Sequence, residues 1–413
     1  MTHALPSSAE VARGGEPESD GKPRWYLQQR FPLYVTARAL SIIGDFATVT
    51  ALAAHLYAMT GSGFGIAGLF VVRAVARLFG PLGGSLGDRF NPLRLLIGAD
   101  LLACIVFAVA ATQGGAVINL LLLTFLAEIG VTVSQPASRT YIARSIPAAA
   151  RGRANAVLIG IGMVTAAVGA AVGGFLLSLD FAWPMLLNSG TFLISCLLLA
   201  WTSRVVDLGS PTKRSLSWSE FRQGFVDIRA DAQTMTIVQA VLIMAFAFAI
   251  QRPAVVALVT GELAAAESAY GFVMAAQSVG AFVAALYLIR HRSAKPALVL
   301  LVGLTMLTVG NFGFAAAGTI ALGVVASLVV GLGSSLREIA SMTALQAAKA
   351  QDRIGLLMGS VMSVTFLADT LGSLAGGALI DATGARWTLV ASGIITAGGA
   401  VYFAMLRRRT NNH

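Results

Sequence analysis

Thr165-Ala-Ala-Val-Gly169-Ala170-Ala-Val-Gly173-Gly174 and Ala368-Asp369-Thr-Leu-Gly372-Ser-Leu-Ala-Gly376-Gly377 carry the same three glycines at the same spacing, 203 positions apart in a chain of 413 residues. They close two longer blocks, 138–174 and 341–377. Each block opens on a polar segment, Arg139 to Arg153 in the first and Gln346 to Arg353 in the second, and then runs into small apolar residues. An offset of about half the chain predicts two copies of one unit.

Composition sets the solvent. The chain is 56% hydrophobic and 12% charged, with a mean hydropathy of +0.78. A soluble globular domain carries roughly 25% charge, so the apolar excess predicts a bilayer as solvent. The formal charge of +10 is distributed as membrane topology requires, and nucleic acid is not expected as a partner. Cys104 and Cys196 sit in apolar runs without metal or redox spacing and read as packing residues. No cofactor is implied. Residues 1–30 are polar, lack an apolar h-region and read as a disordered tail.

Apolar runs of roughly 20 residues predict membrane helices. Twelve such spans are expected, at 31–59, 64–86, 93–113, 116–138, 154–178, 182–202, 234–258, 268–290, 296–317, 319–342, 354–380 and 386–406. The fold class is therefore all-α integral membrane, with two pseudo-symmetric six-helix bundles at 31–202 and 234–406. A linker, 203–233, joins them, and a short tail, 407–413, follows. Positive residues fill alternate links: Arg89 and Arg94, then Arg144, Arg151 and Arg153, then the central link, then Arg290, Arg292 and Lys295, then Lys349 and Arg353. The opposite links hold mainly Asp180, Glu262, Glu267 and Asp381, with Arg386 the clear exception. The positive-inside rule then puts both termini in the cytoplasm of a cell membrane, the bacterial inner membrane being the natural one.

Gly84-Ser-Leu-Gly-Asp88-Arg89-Phe-Asn-Pro-Leu-Arg94 joins spans 2 and 3 and resembles the loop motif of the major facilitator superfamily, G-x-L-a-D-R-x-G-R-[KR]. Asn91 and Pro92 replace the usual Gly and Arg. The opening, Ser41-Ile-Ile-Gly44-Asp45 followed by Tyr57-Ala-Met-Thr-Gly-Ser62, resembles the branch of macrolide and enterobactin exporters. The resemblance covers nearly the whole chain. It implies drug:proton antiport by alternating access, with spans 1, 4, 7 and 10 lining a central cavity. It also implies that Asp88 and Arg89 help close the cytoplasmic side, Asp88 meeting the positive end of span 11. Gly169, Gly173 and Gly174 keep the glycines of an antiporter signature whose proline is here Ala170. On physical grounds these glycines, with Gly372, Gly376 and Gly377, serve close helix packing in lipid.

An ionisable group in hydrocarbon costs at least ~2.5–3.5 kcal/mol on insertion scales, so each needs a partner, water or a task. Asp45 in span 1 and Glu128 in span 4 lie near mid-depth at ~1.5 Å per residue, and are the candidates for proton coupling. Each could instead pair with an arginine and stay charged. Arg73 and Arg77 lie one turn apart on span 2, at a depth matching Asp369 on span 11. The expectation is an Arg73–Asp369 ion pair across the seam between halves, acting as a gate, with Asp45 as the other partner open to the arginines. Candidate cavity residues are Phe125, Asn188, Phe246, Gln251, Arg252, Arg337 and Glu338, an apolar and loosely specified lining.

Three function classes are weighed. A secondary exporter of a small amphipathic compound (a drug, an antibiotic or a siderophore-like metabolite) fits best, working as a monomer with protons as coupling ion. A lipid flippase or a nutrient importer of the same fold is the alternative; a flippase should show side openings between helices. An intramembrane enzyme or receptor fits poorly. There is no G-x-x-x-x-G-K-[ST] loop, no H-E-x-x-H and no G-x-S-x-G, and the four histidines are His3, His55, His291 and His413.

Overall fold

The computed structural model describes residues 31–79, 90–204, 232–290, 296–346 and 354–411. The 1–30 tail, most of the 203–233 linker, and Asp88 and Arg89 lie outside the described residues.

Twelve helices follow in chain order among the described residues: α1 Phe31–Thr60, α2 Gly63–Arg77, α3 Pro92–Ala110, α4 Val117–Ser145, α5 Ala148–Leu177, α6 Ala182–Ser203, α7 Ala232–Val256, α8 Glu267–Arg290, α9 Pro296–Ala316, α10 Ile320–Gln346, α11 Ile354–Thr383 and α12 Ala385–Asn411. Eleven are long and apolar enough to cross a membrane; the described part of α2 has 15 residues. Each falls on a predicted span, and α4, α5 and α10 run several residues further towards one end than hydropathy suggests. A π-helical turn, Ala257–Glu262, lengthens α7. Pro253 supplies no backbone donor just before it, and a widened turn absorbs the mismatch.

Local chemistry sets several helix starts. Asn91 Oδ1 accepts from Leu93 N at 2.9 Å, and Pro92 occupies the first position of α3. The two residues that depart from the loop motif thus form an N-cap and a pre-set first turn. Ser62 caps α2 by accepting from Phe64 N at 3.1 Å.

The packing has an internal two-fold. In the first half α1 packs on α5 and α6, α3 on α4 and α6, and α2 on α4; in the second, α7 packs on α11 and α12, α9 on α10 and α12, and α8 on α10. Adding six to each number of the first set gives the second. The two most extensive contacts between the halves are α5 with α8 and α2 with α11, and the same operation exchanges them.

The repeated glycines explain this symmetry at atomic level. A Cβ on Gly169 or Gly173 would strike the carbonyl oxygens of Ile43 and Ala47 on α1. One on Gly372 or Gly376 would strike those of Phe246 and Ile250 on α7. The four partners are themselves 203 positions apart in pairs. The third glycine of each set joins the two halves. A Cβ on Gly174 would lie 2.8 Å from Ser268 O and 2.9 Å from Gly271 Cα on α8, and one on Gly377 would lie 2.7 Å from Ala67 Cβ and 3.0 Å from Gly63 O on α2.

These cross-half contacts lie at one end of the bundle, the far end, opposite the near end where α1 begins and α12 finishes. Large apolar side chains cover the outside, among them Ile118 at 72% exposure and Phe175 at 57%. In water such a surface would aggregate; against acyl chains it is the expected one. Exposed Trp183 and Trp387 mark the far rim and Trp201 the near rim, as interfacial aromatics do.

Candidate functional site

Two charged groups meet at mid-depth where the halves face each other. In the first half α2 presents Arg73 and Arg77 on one face, and α4 presents Glu128, which is 2% exposed. Arg77 Nε donates to Glu128 Oε1 at 2.7 Å, and Arg73 Nη2 lies 3.2 Å from Glu128 Oε2. One turn along α4, Thr132 Oγ1 donates to Ala76 O at 3.2 Å and to Glu128 O at 2.9 Å, fixing the two helices in register. Asp45, facing this group from α1, has Arg73 as its strongest charged neighbour. It makes no hydrogen bond or ion pair among the described residues.

In the second half Arg252 Nη2 pairs with Asp369 Oδ1. Its guanidinium lies over the rings of Phe70 (4.8 Å) and Phe248 (5.8 Å). Phe70 belongs to α2, so Arg252 reaches across the seam. Arg77 reaches the other way, over Phe366 of α11 at 5.9 Å. Two cation–π contacts of opposite sense therefore join the halves where the sequence suggested an ion pair.

In place of the expected Arg73–Asp369 pair, three ion pairs form inside the halves, Arg73 and Arg77 with Glu128 and Arg252 with Asp369. Depth along the helices was matched correctly, but rotation about the helix axes chose the partners: α2 packs on α4 and α7 on α11. In the span expected at 234–258, Arg252, a cavity candidate, would sit six residues from the outer end. The π turn extends that helix to Glu262 and leaves Arg252 level with Asp369. Asn188 was expected in the cavity. It is instead fully buried in the contact between α6 and α1, where it leaves room only for hydrogen at Gly44. Gln251 is 2% exposed, with its Oε1 unbonded. Phe125 meets Phe79 edge-on at 6.4 Å. Phe246 is half-buried, and its carbonyl packs on Gly372. Arg337 is half-buried on α10 and Glu338 is exposed.

Other charges have structural partners. Ser195 Oγ donates to Asp100 Oδ2 at 2.6 Å, and Arg38 lies 3.9 Å from that carboxylate. His55 bonds Gly114 O at 2.7 Å and stacks on Phe181 at 4.1 Å. Sequence reasoning missed the role of Asp381. Its Oδ1 accepts from Gly63 N at 2.6 Å and its Oδ2 from Ser62 Oγ at 2.7 Å. A carboxylate from α11 thus holds the positive end of α2 across the halves. The signal was present in Ser62-Gly63, a cap followed by a residue without Cβ, but its partner lies over 300 positions away. Glu262 does the same for α12, accepting from Ala385 N at 2.8 Å and from Arg386 N at 3.2 Å.

Two six-helix halves related by a two-fold, with scarce ions at mid-depth between them, define a secondary transporter of the kind built from repeats. A profile of the Major Facilitator Superfamily matches residues 34–251 and again 237–413, and the chain belongs to that family. It is similar to the multidrug resistance protein MdtH of Aeromonas salmonicida (strain A449), 29% identical over 177 residues, and equally to MdtH of Aeromonas hydrophila. Each match spans 42% of this chain and 42% of the relative. Among solved structures, the nucleoside transporter NupG superposes with a TM-score of 0.73 at 12% identity, covering 92% of this chain and 99% of that one. An inward-facing bacterial homologue of the lysosomal transporter Spinster gives 0.69 at 14% identity, covering 94% and 98%. These likenesses concern the fold. The protein is a multi-pass membrane transporter and not an enzyme.

Proposed function

We propose that this transporter is a proton-coupled exporter of small amphipathic compounds, with both termini in the cytoplasm of a bacterial inner membrane. The observation that carries the reading is the contrast between its two mid-depth carboxylates. Glu128 is held by two arginines, whereas Asp45 is bonded to nothing among the described residues. An unbonded carboxylate beside a cation can exchange its proton with water or ligand at little structural cost. Loading and unloading Asp45 changes the charge facing Arg73, and with it the balance between the two half-bundles. The partial similarity to MdtH, a multidrug resistance protein, supports export.

The far end, where α2 meets α11 and α5 meets α8 through glycines, is then the outer side, and the described state is closed there. The test is accumulation of a panel of drugs and siderophores in cells with and without the gene, each with and without a protonophore. Lower accumulation that is abolished by the protonophore is the expected result. Efflux that persists after the gradient collapses overturns proton coupling, and equal accumulation overturns export.

One observation favours a second reading. A cleft of about 420 Å³ runs along α5, lined by Val157, Gly160, Ile161 and Val164 and closed on one side by Phe282 of α8. A cleft of this kind suits a lipid carrier, and transfer of fluorescent phospholipid between leaflets of reconstituted vesicles tests it.

A further inference from the structure

Arg337, in the near part of α10, stands apart from Arg73, Arg77 and Arg252. On α10 it shares a face with Ser341 and Ala344, one and two turns on. Ala344 packs against Ile237 and Val238 of α7 and Val361 of α11, so this face looks into the bundle. The carboxylates within electrostatic reach are Glu338 and Asp369. Asp369 is already held by Arg252. Glu338 is the next residue on the same helix, exposed, and adjacent helical residues do not face each other. The guanidinium has no hydrogen bond or ion pair among the described residues.

On the same face Ser341 Oγ is buried without a partner and offers the guanidinium only a neutral hydroxyl oxygen. An unpaired guanidinium in a membrane interior is costly, and such groups are kept for ligands. Its planar fork matches carboxylate and phosphate oxygens.

We infer that Arg337 receives the anionic group of the transported compound, so that the substrate is an amphipathic organic anion. The inference rests on the exporter reading and narrows its substrate class. An apolar cleft lies at the same depth along α5, bordered by Phe282 of α8. Phe282, which lines it, and Arg337 lie at matching depths, each roughly 12–14 Å from the near ends of their helices at Arg290 and Gln346 at ~1.5 Å per residue. Val157 and Val164 on the cleft wall are 39% and 47% exposed, which leaves the route open to lipid.

The test uses the full-length protein in phosphatidylcholine nanodiscs, as wild type, Arg337→Gln and Arg337→Lys. Melting temperature is followed with octanoate, octyl phosphate and octyltrimethylammonium, each below its micellar concentration. Both anions should stabilise the wild type and Arg337→Lys, and the cation should not. Apparent affinity for the anions should fall about tenfold or more in Arg337→Gln, the loss of one charge-assisted contact. The melting temperature without ligand reports whether each variant is folded. A second series adds phosphatidylglycerol. Competition with octanoate assigns the anionic group to a lipid; no competition assigns it to a free solute; either agrees with the inference. Stabilisation by octyltrimethylammonium at least as large as by the anions, an undiminished octanoate response in Arg337→Gln, or no response to either anion overturns it. The two readings fail separately. Protonophore-sensitive export of cationic drugs without any anion effect leaves the exporter standing and removes the anion. Anion binding without such export does the reverse.

Discussion

Glu128 is gripped by Arg73 and Arg77, while Asp45 on α1 holds no bond among the described residues, and the two carboxylates should respond differently to the same chemical change. Glu128→Gln strands two guanidinium groups between helices. Breaking a buried pair from one side costs about 3–5 kcal/mol, so the variant should melt well below the wild type in a thermal-unfolding measurement. Asp45→Asn removes a charge without removing a bond. It should melt near the wild type while losing protonophore-sensitive efflux. If Asp45→Asn still exports under a gradient, the proton passes elsewhere. At this scale the sequence showed which residues carry charge inside the apolar runs but not whom they meet. The charges in apolar runs were visible, and counting residues matched Arg73 with Asp369 in depth. Counting says nothing of rotation about the helix axis. Arg252 therefore took the partner assigned to Arg73, and Asn188 vanished into the α1–α6 contact.

Helices in lipid cannot rely on water to drive them together, so their approach is set by small residues that permit backbone contact. α1 against α5 and α7 against α11 are the two instances related by 203 positions. Gly173→Val and Gly376→Val should each cost about 1–3 kcal/mol through overpacking, Gly173→Val the more, because its Cβ would lie 2.2 Å from Ala47 O against 2.8 Å from Ile250 O at Gly376. Gly160 is a control: a Cβ there meets nothing within 4 Å. Gly160→Ala should leave stability unchanged or raise it by up to about 1 kcal/mol through helix propensity. Denaturation of the three variants in one lipid mimic checks all of these. Elements were the most legible level of this molecule. Hydropathy found the spans, and the glycine period found the repeat. The overshoots have a plain cause, since α4, α5 and α10 continue as polar helix past the apolar stretch that a hydropathy window detects. The π turn after α7 carries no such signature beyond Pro253.

For the molecule as a whole the decisive contact is a carboxylate of one half on the helix end of the other. Asp381 accepts from Gly63 N and Ser62 Oγ, so parting the far end must break both bonds. Asp381→Ala should therefore raise the population open at that end. Spin labels on cysteines placed at exposed Thr60 and Thr383 would show it as a longer distance component, and an unchanged distribution would rule out a latch. Arg386 and Glu262, paired at 2.8 Å nearby, stay within the second half and should not affect that population. The sequence disclosed two halves and a seam but no latch, because the bond joins residues whose only common property is their place in the assembled bundle.

The far rim itself meets largely backbone to backbone, Gly174 on Gly271 and Gly377 on Gly63. Surfaces without interlocking knobs turn over one another as a bearing does, with few sockets to vacate at each cycle. A single methyl added at Gly174 or Gly377 would turn that bearing into a detent, slowing each swing of the halves even where every ion stayed in place.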